Sequence, residues 1–546
     1  MNRAGVYGAA VAALLGWLAA AQITSALQET QTYDEAIHLA AGYGYLKTGE
    51  YRFNVEHPPL GKILAALPLL PLKPHVPLEN PGWHGGDQRD FGRAFLYHNH
   101  VPADTMLFRA RCVTMLVSLF LGVALAFWTR RHFGAGAGLL AMLLYAFDPN
   151  ITAHGRYVTN DLLMCLFLFL ATMAWGAYLV SGKRKDLLWA ALALALGLVS
   201  KFSALFLVPL FVVLYLIRWW QQRTGFSWRR LAGAMLVVAG VSMAVISLSY
   251  WREVKRLTFS YLVGLESAAQ HDQVGHFSYL LGQRSETGGW WYYFPVAFAV
   301  KTPTAVLILA ALSLLLGAGW LLRRPLRDLY RRLRQLRFEW YLLAVPAAGY
   351  FVLWMRSHIN IGLRHILPVY PFLFVLAAAV VLRGWPQRWR KALPVVLCAV
   401  AALEVYESVR IYPHYLAFFN LPAGGPARGP DYLVDSNLDW GQDLKKLKVW
   451  HEAHGQPRLC LAYFGQADFT YYGLKVAHDW LPPTWELEER KSLNCIAAVS
   501  VTVLKDVYRF PGEFLWLQRM QPFGQVGYSI YLYDLRRQPP GQPRIQ

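Results

Sequence analysis

Apolar stretches recur along most of the chain, and polar residues gather in the gaps between them. Runs at 5–27, 107–128, 134–152, 160–180, 231–250, 295–322, 340–356, 366–383 and 392–411 each approach the roughly 20 apolar residues that a membrane-spanning helix needs. A further run, 187–217, would be about 46 Å long as one helix, too long for a single crossing of a ~30 Å hydrocarbon core. Charge decides how it is threaded. Lys183–Lys185 precede it, Arg218, Arg223, Arg229 and Arg230 follow it, and short basic loops stay on the cytoplasmic side. The run therefore crosses twice and reverses at "VSKFS", around Lys201. Arg130–Arg131, the Arg-rich stretch 323–337 and Arg383–Lys391 then also fall inside. Residues 1–27 read as an uncleaved first helix rather than a signal peptide, because Arg3 is the only n-region charge and the apolar run is long.

The pattern thus predicts an α-helical polytopic membrane protein of about eleven transmembrane helices, with its N-terminus inside and its last part outside. Three outer pieces remain: a loop at 28–106, a loop at 251–294, and a tail from 412. Within the first loop, 35–47 and 60–70 have the spacing of interfacial helices lying on the bilayer. The tail mixes apolar strands with a polar helical stretch, which predicts a small α/β extracytoplasmic domain over 412–546 beside a membrane domain over 1–411.

Composition agrees with this threading. Of 546 residues, 55% are hydrophobic and 16% charged, against about 25% charged in soluble domains. The net charge of +20 does not indicate nucleic acid, because most Lys and Arg residues sit in short loops between apolar runs. Cys112, Cys165 and Cys398 lie in apolar runs. Cys460 and Cys495 each sit in a predicted strand of the tail. An outside location permits a disulfide, and two separate thiols is the other reading.

Ionisable groups crowd the outer ends of the predicted spans. The acids Asp34, Glu35 and Glu56 lie with His57 in the first loop; Arg156, Lys201, Lys301, Arg364 and His365 sit at later outer turns. Such groups at membrane depth are functional candidates, since burying one costs roughly 2.5–3.5 kcal/mol even on a lenient scale. Lys201 stands out because no other charge interrupts its apolar run. One carboxylate facing several cations suits transfer from a lipid-linked phosphosugar. Phosphate is a good leaving group stabilised by Arg and Lys, so a single base for the acceptor suffices. A glycoside hydrolase would need two carboxyls at a set separation. No Walker or Rossmann glycine loop occurs.

The motifs "DEA" at 34–36, "EHPPLGK" at 56–62, "RARCVTMLVSLFLG", "HGRYVTNDLL", "GGWWYYFPVAFAVKTP" and "NIGLRHILPVYPFL" follow one another over residues 5–411. In this order they resemble the GT-C superfamily of polytopic glycosyltransferases, especially bacterial relatives of the protein O-mannosyltransferases and the aminoarabinose transferases of lipid A. The resemblance implies a GT-C fold and an inverting transfer of a monosaccharide from a polyprenyl-phosphate carrier to an acceptor outside a bacterial inner membrane. The acceptor is a protein, a lipid or a glycan. Asp34 then matches the base or acceptor-orienting acid. Glu35 matches a second acid that pairs with an arginine opening the second helix, here Arg111 or Arg109. Glu56 matches a position that can bind a metal with a loop histidine, here His271 or His276; simple structural pairing of Glu56 is the other reading. His57 stands where those enzymes carry Lys, which puts the metal and phosphate roles of that corner in question. Lys201, Lys301 and Arg364 are the choices for the donor phosphate, with Arg156 and His365 beside them. No cofactor is required, and a divalent metal is the one open option. In the tail, Asp435, Asn437 and Asp439 have the first spacings of a calcium loop. Trp440 and Lys446 break that pattern, leaving a strand, a capped turn and an amphipathic helix. A transporter or flippase of lipid-linked glycans is the alternative function; polar groups crowded on one face and the lack of paired halves argue against it.

Overall fold

The computed structural model describes residues 3–222, 226–254, 260–322 and 325–536. Of the basic positions expected inside, Arg223, Arg323 and Arg324 lie outside the described residues. Each predicted span falls on helix, and two of them, 134–152 and 295–322, are each broken into two helices. Among the described residues seven helices are long and apolar enough to cross a membrane, among them Ala103–Phe133, Asp161–Ser181, Phe202–Gln222 and Leu363–Gly384. Four shorter or less apolar ones, Ala135–Phe147, Arg184–Leu198, Phe338–Trp354 and Leu393–Ile411, complete the expected set. Leu236, Met243, Leu314 and Leu315 face outward with most of their surface exposed, as lipid-facing side chains do. The chain is an integral membrane protein with a mostly helical fold and a small sheet near its C-terminus.

Local chemistry explains the departures from uniform helix. The 187–217 run breaks where predicted: Arg184–Leu198 ends, Lys201 is extended, and a 3-10 turn at Phe202–Phe206 leads into Leu207–Gln222. The 295–322 run, read from sequence as one span, is two helices, Tyr293–Lys301 and Thr304–Leu322. Pro303 forces the break, because the residue before a proline avoids the helical region, and Thr302 is extended at ψ 133°.

The first outer loop differs from its expected place on the bilayer. Helix Glu35–Thr48 is buried on every side from Glu35 to Tyr45, sandwiched by Leu60–Ala66 and Gln88–Tyr97. Its helical spacing of small residues serves packing inside the protein rather than contact with lipid.

Strands β1, Ser278–Leu280, and β2, Gln283–Ser285, form a short antiparallel pair, and the C-terminal sheet has strand order β4-β3-β5-β7-β6: β3 is Leu459–Ala462, β4 Val476–His478, β5 Ile496–Ser500, β6 Gly524–Val526 and β7 Ile530–Asp534. The β3–β4 and β3–β5 pairs are parallel, and β7 runs antiparallel to β5 and β6. Cys460 and Cys495 are disulfide-bonded, joining β3 to the start of β5. Closing a loop of 35 residues restricts the unfolded chain, so replacing both cysteines with serine is expected to lower stability by about 2–4 kcal/mol, read as a lower Tm. The motif from Leu433, expected to open with a strand, opens instead with two residues outside any strand and a 3-10 turn at Asp435–Asn437, and the expected helix follows at Leu444–Ala453.

The tail is also sewn to the first outer loop. Backbone N–H groups of Thr30 and Tyr33 donate to the carbonyls of Gln442 and Trp440 at 3.0 and 2.9 Å. Those bonds fix the strand of chain that leads into Asp34.

Candidate active site

Asp34 opens helix Glu35–Thr48, yet its side chain makes no capping hydrogen bond. An aspartate at this position ordinarily accepts from the first turn of the helix. Here the carboxylate turns away, and Arg364 Nη1 donates to its Oδ2 at 3.2 Å. The guanidinium of Arg364 also lies 3.7 Å from Asp161 Oδ2 and 4.4 Å from the centre of the Trp440 ring. Lys201 Nζ donates to the other oxygen of Asp161 at 2.5 Å. Asp161 thus bridges two cations at the start of its helix, and Asp34 meets the same Nη1 of Arg364.

Glu35, one residue on, has a different fate. It accepts from Thr32 N–H and Oγ1, from Val158 N–H, and from Arg111 through two bonds of 2.9 and 2.7 Å. It is Arg111, not Arg109, that makes the pair; both partners are buried, at 0% and 1% exposure. A second pair sits beside it: Arg156 grips Glu29 from both nitrogens at 2.7–3.1 Å, and Tyr157 and Lys446 add to the cluster. Burial pushes the Glu29 carboxyl up, but Arg156 and Lys446 more than offset it and hold it below its ordinary value.

Two cavities meet at Asp34. The inner one, about 290 Å³, is lined by Asp34, Glu56, His57, Asp161, Lys201 and His365, among others. The outer one, about 540 Å³, reaches up under the C-terminal residues. Asp34, Tyr33, Arg89, His276, Ile361 and Arg364 border both. The inner cavity carries buried polar atoms with no protein partner: both ring nitrogens of His365, Oγ1 of Thr159, and both amide atoms of Asn160. Unsatisfied groups of this kind cost about 1–3 kcal/mol each unless water or a ligand meets them. Gly61 gives this wall its close approach, since a Cβ there would lie 2.0 Å from Asn160 Oδ1.

Protonation follows burial. Asp34 keeps 24% of its side chain open into the cavities. Withdrawal from bulk water nevertheless raises its carboxyl above the ordinary value, with Arg364 pulling the other way. Burial depresses His38 to about 3, helped by Lys62 and Arg364. Burial and then the neighbouring His38 ring push His57 well down, so both imidazoles are neutral at pH 7. His57 therefore offers hydrogen bonds rather than charge. Lys62, the last residue of "EHPPLGK", is also spoken for: its Nζ donates to Tyr45 Oη and to the carbonyls of Asn54 and His57 at 2.6–3.0 Å, clamping the loop that forms this wall.

The residues singled out from sequence thus divide. The structure brings Asp34, Glu56, His57, Lys201, Arg364 and His365 to one cavity. Lys301 lies elsewhere: buried, it donates to the carbonyls of Leu416 and Asn437 and ties the broken helix to the tail. Arg111, Arg156 and Glu35 form the buried ion pairs behind the site and line neither cavity. These four are held by groups that position alone could not reveal. Glu56 accepts from Asn54 Nδ2 at 2.9 Å and shares the inner cavity with His271 and His276. Among the described residues no group of three or more His, Cys, Asp or Glu side chains is placed to hold a metal ion. Sequence reading passed over His38, noted Asp161 at an outer turn without assigning it a role, and weighed Asp435 only as part of a broken calcium loop. The signal for Asp161 was present, as an acid at the very start of an apolar run.

A family model described as dolichyl-phosphate-mannose-protein mannosyltransferase matches residues 103–251. The matched segment carries Arg111, Arg156, Asp161 and Lys201. The chain is also similar to the crystal structure of ArnT from Cupriavidus metallidurans in the apo state, at 16% identity over 97% of this chain and 98% of that one, with a TM-score of 0.47. The same enzyme bound to undecaprenyl phosphate matches at 16% identity over 98% and 100% of the two chains, with a TM-score of 0.45. No curated protein matches the chain.

Proposed function

We propose that this protein is an inverting glycosyltransferase that moves a monosaccharide from a polyprenyl-phosphate carrier to an acceptor on the extracytoplasmic face of a bacterial inner membrane. The observation that carries this reading is the position of Asp34, at the junction of two cavities and in contact with Arg364. The inner cavity holds the donor. Lys201 and Arg364 stabilise the phosphate as it departs, while Asp161 orients both cations. The neutral His57 and His365 and the free amide of Asn160 meet the sugar hydroxyls.

The acceptor enters from the outer cavity. Asp34 removes its proton as the acceptor oxygen or nitrogen bonds to the anomeric carbon. The bond from that carbon to the phosphate oxygen breaks, and its electron pair leaves on the polyprenyl phosphate. Attack from the face opposite the leaving group inverts the configuration. Basic loops at the other end of the spans support an outside location for the site. The family match over residues 103–251 and the ArnT complex with undecaprenyl phosphate support a lipid-phosphate donor.

The test is release of free polyprenyl phosphate from a panel of polyprenyl-phosphate sugars by purified protein. Release from one donor identifies the sugar; no release from any of them, with acceptor-containing membranes present, overturns the reading. Within that assay Lys201→Met is expected to raise the donor KM about tenfold or more, the worth of a hydrogen bond to a charged group. An unchanged KM would remove Lys201 from the phosphate.

A further inference from the structure

The outer cavity has a floor of membrane-domain residues and a roof of C-terminal ones. Two acids line it, Asp34 from the first outer loop and Asp435 from the tail. Asp435 is 6% exposed and stands in the left-handed region at φ +58°, where a residue other than glycine is uncommon and aspartate is among the better tolerated. Its own N–H donates to Thr502 Oγ1 at 3.1 Å. Its Oδ1 accepts from Ser436 N–H at 2.5 Å, and its Oδ2 accepts from the Tyr508 hydroxyl. Tyr508 in turn stacks flat on Phe464, which stacks on Tyr33, the residue before Asp34.

The other two polar residues of the motif, Asn437 and Asp439, have structural duties. Asn437 Oδ1 accepts the N–H of Leu363, the residue before Arg364, and Asp439 Oδ2 accepts the N–H of Thr502. Asp435 alone of the three faces the cavity that reaches Asp34. A carboxylate held in an unusual backbone conformation, by three groups of its own domain and against a cavity wall, is placed to receive something.

Resting on the transfer reading above, we propose that Asp435 is the acceptor-binding carboxylate of the outer cavity, and that the acceptor it takes is a saccharide. Each face of the argument is chemical. The walls set aromatic side chains, Tyr33, Phe464 and Trp440, among hydrogen-bonding ones, Asp435, Gln466 and Thr502. A sugar ring presents the matching alternation of apolar C–H surface and hydroxyl edge. Asp435 and the Tyr508 hydroxyl hold one acceptor hydroxyl, and a neighbouring hydroxyl of the same ring is thereby aimed at Asp34. The C-terminal residues are then part of the site, and acceptor choice belongs to them while donor choice belongs to the membrane helices.

The experiment uses the full-length protein with the donor found above. Release of polyprenyl phosphate is followed with water alone, with methyl α-D-mannopyranoside at high concentration, and with a Ser/Thr-containing peptide. In the wild type the glycoside is expected to stimulate release and the peptide not. In Asp435→Asn, which keeps the size and the backbone tolerance of the native residue, stimulation by glycoside should fall about tenfold through the acceptor KM, well beyond any change in release to water. Tyr508→Phe should give a smaller loss of the same kind. Equal stimulation in Asp435→Asn, stimulation by peptide and not glycoside, or equal loss of water-driven release each overturns the proposal. Absence of release in every arm, wild type included, fails the transfer reading itself and is recognised by that pattern.

Discussion

Asp34→Asn is expected to lose about 10²–10⁴-fold in turnover, the usual contribution of a positioned base, while the protein stays folded. The asparagine keeps the shape of the side chain, and the helix it opens draws no capping bond from it. Arg364 retains Asp161 as a partner and Trp440 beneath it, so the cavity keeps its form. What vanishes is the ability to take a proton. Burial raises the Asp34 carboxyl, and a base acts only when ionised. Activity of the wild type should therefore rise with pH through that raised value, with an acid limb displaced above the ordinary carboxylate range. The measurement is kcat against pH for wild type and variant at saturating donor, with Tm alongside. Residual activity in Asp34→Asn within tenfold of wild type, or an acid limb near pH 4, would remove Asp34 as the base.

The adjacent acid should fail differently. Arg111→Met is expected to cost about 3–5 kcal/mol of stability, because it leaves Glu35 buried and unpaired in a place no water reaches. Glu35→Gln removes the other charge and leaves Arg111 with only the carbonyls of Ala26, Glu29 and Thr30. Both single variants should show lower yield and Tm in detergent. The double variant Glu35→Leu/Arg111→Met should regain part of the loss, since replacing both members of a buried pair by apolar groups is often near neutral. Activity per folded molecule should change far less than in Asp34→Asn. A Glu35→Gln protein of normal Tm but no turnover would place Glu35 in the chemistry after all. Asp34 and Glu35 are neighbours in sequence and are separated in role by the direction each side chain takes from the helix start.

The membrane architecture was legible along the chain because it depends on quantities that are local. A run of apolar residues must cross hydrocarbon, and basic loops stay on one side. These two rules located the spans, and they found the reversal at Lys201 in a run of ambiguous length. They also led to Asp34, an acid placed just beyond a first helix. The break at Pro303 was missed even though the rule that produces it is local, because hydropathy alone ran through it.

Pairing is another matter. Asp34 and Arg364 are 330 residues apart in sequence, and Lys201 and Asp161 are 40 apart; nothing in either neighbourhood announces the other. Whether a cation is free for a ligand depends on what folds against it. Arg156 met Glu29 and Lys301 met two carbonyls, so both left the candidate site, while Arg364 kept an edge toward two cavities. The tail shows the same limit. Its motif at Asp435 resembles a broken metal loop in sequence, and only the fold sets Asp435 across a cavity from Asp34. The sequence by itself determined which segments are apolar enough to cross a membrane and that an acid stands just beyond the first of them, because burial in hydrocarbon is decided residue by residue. The tertiary structure decided which charges are consumed and which face a cavity, because a charge is neutralised by its neighbours in space.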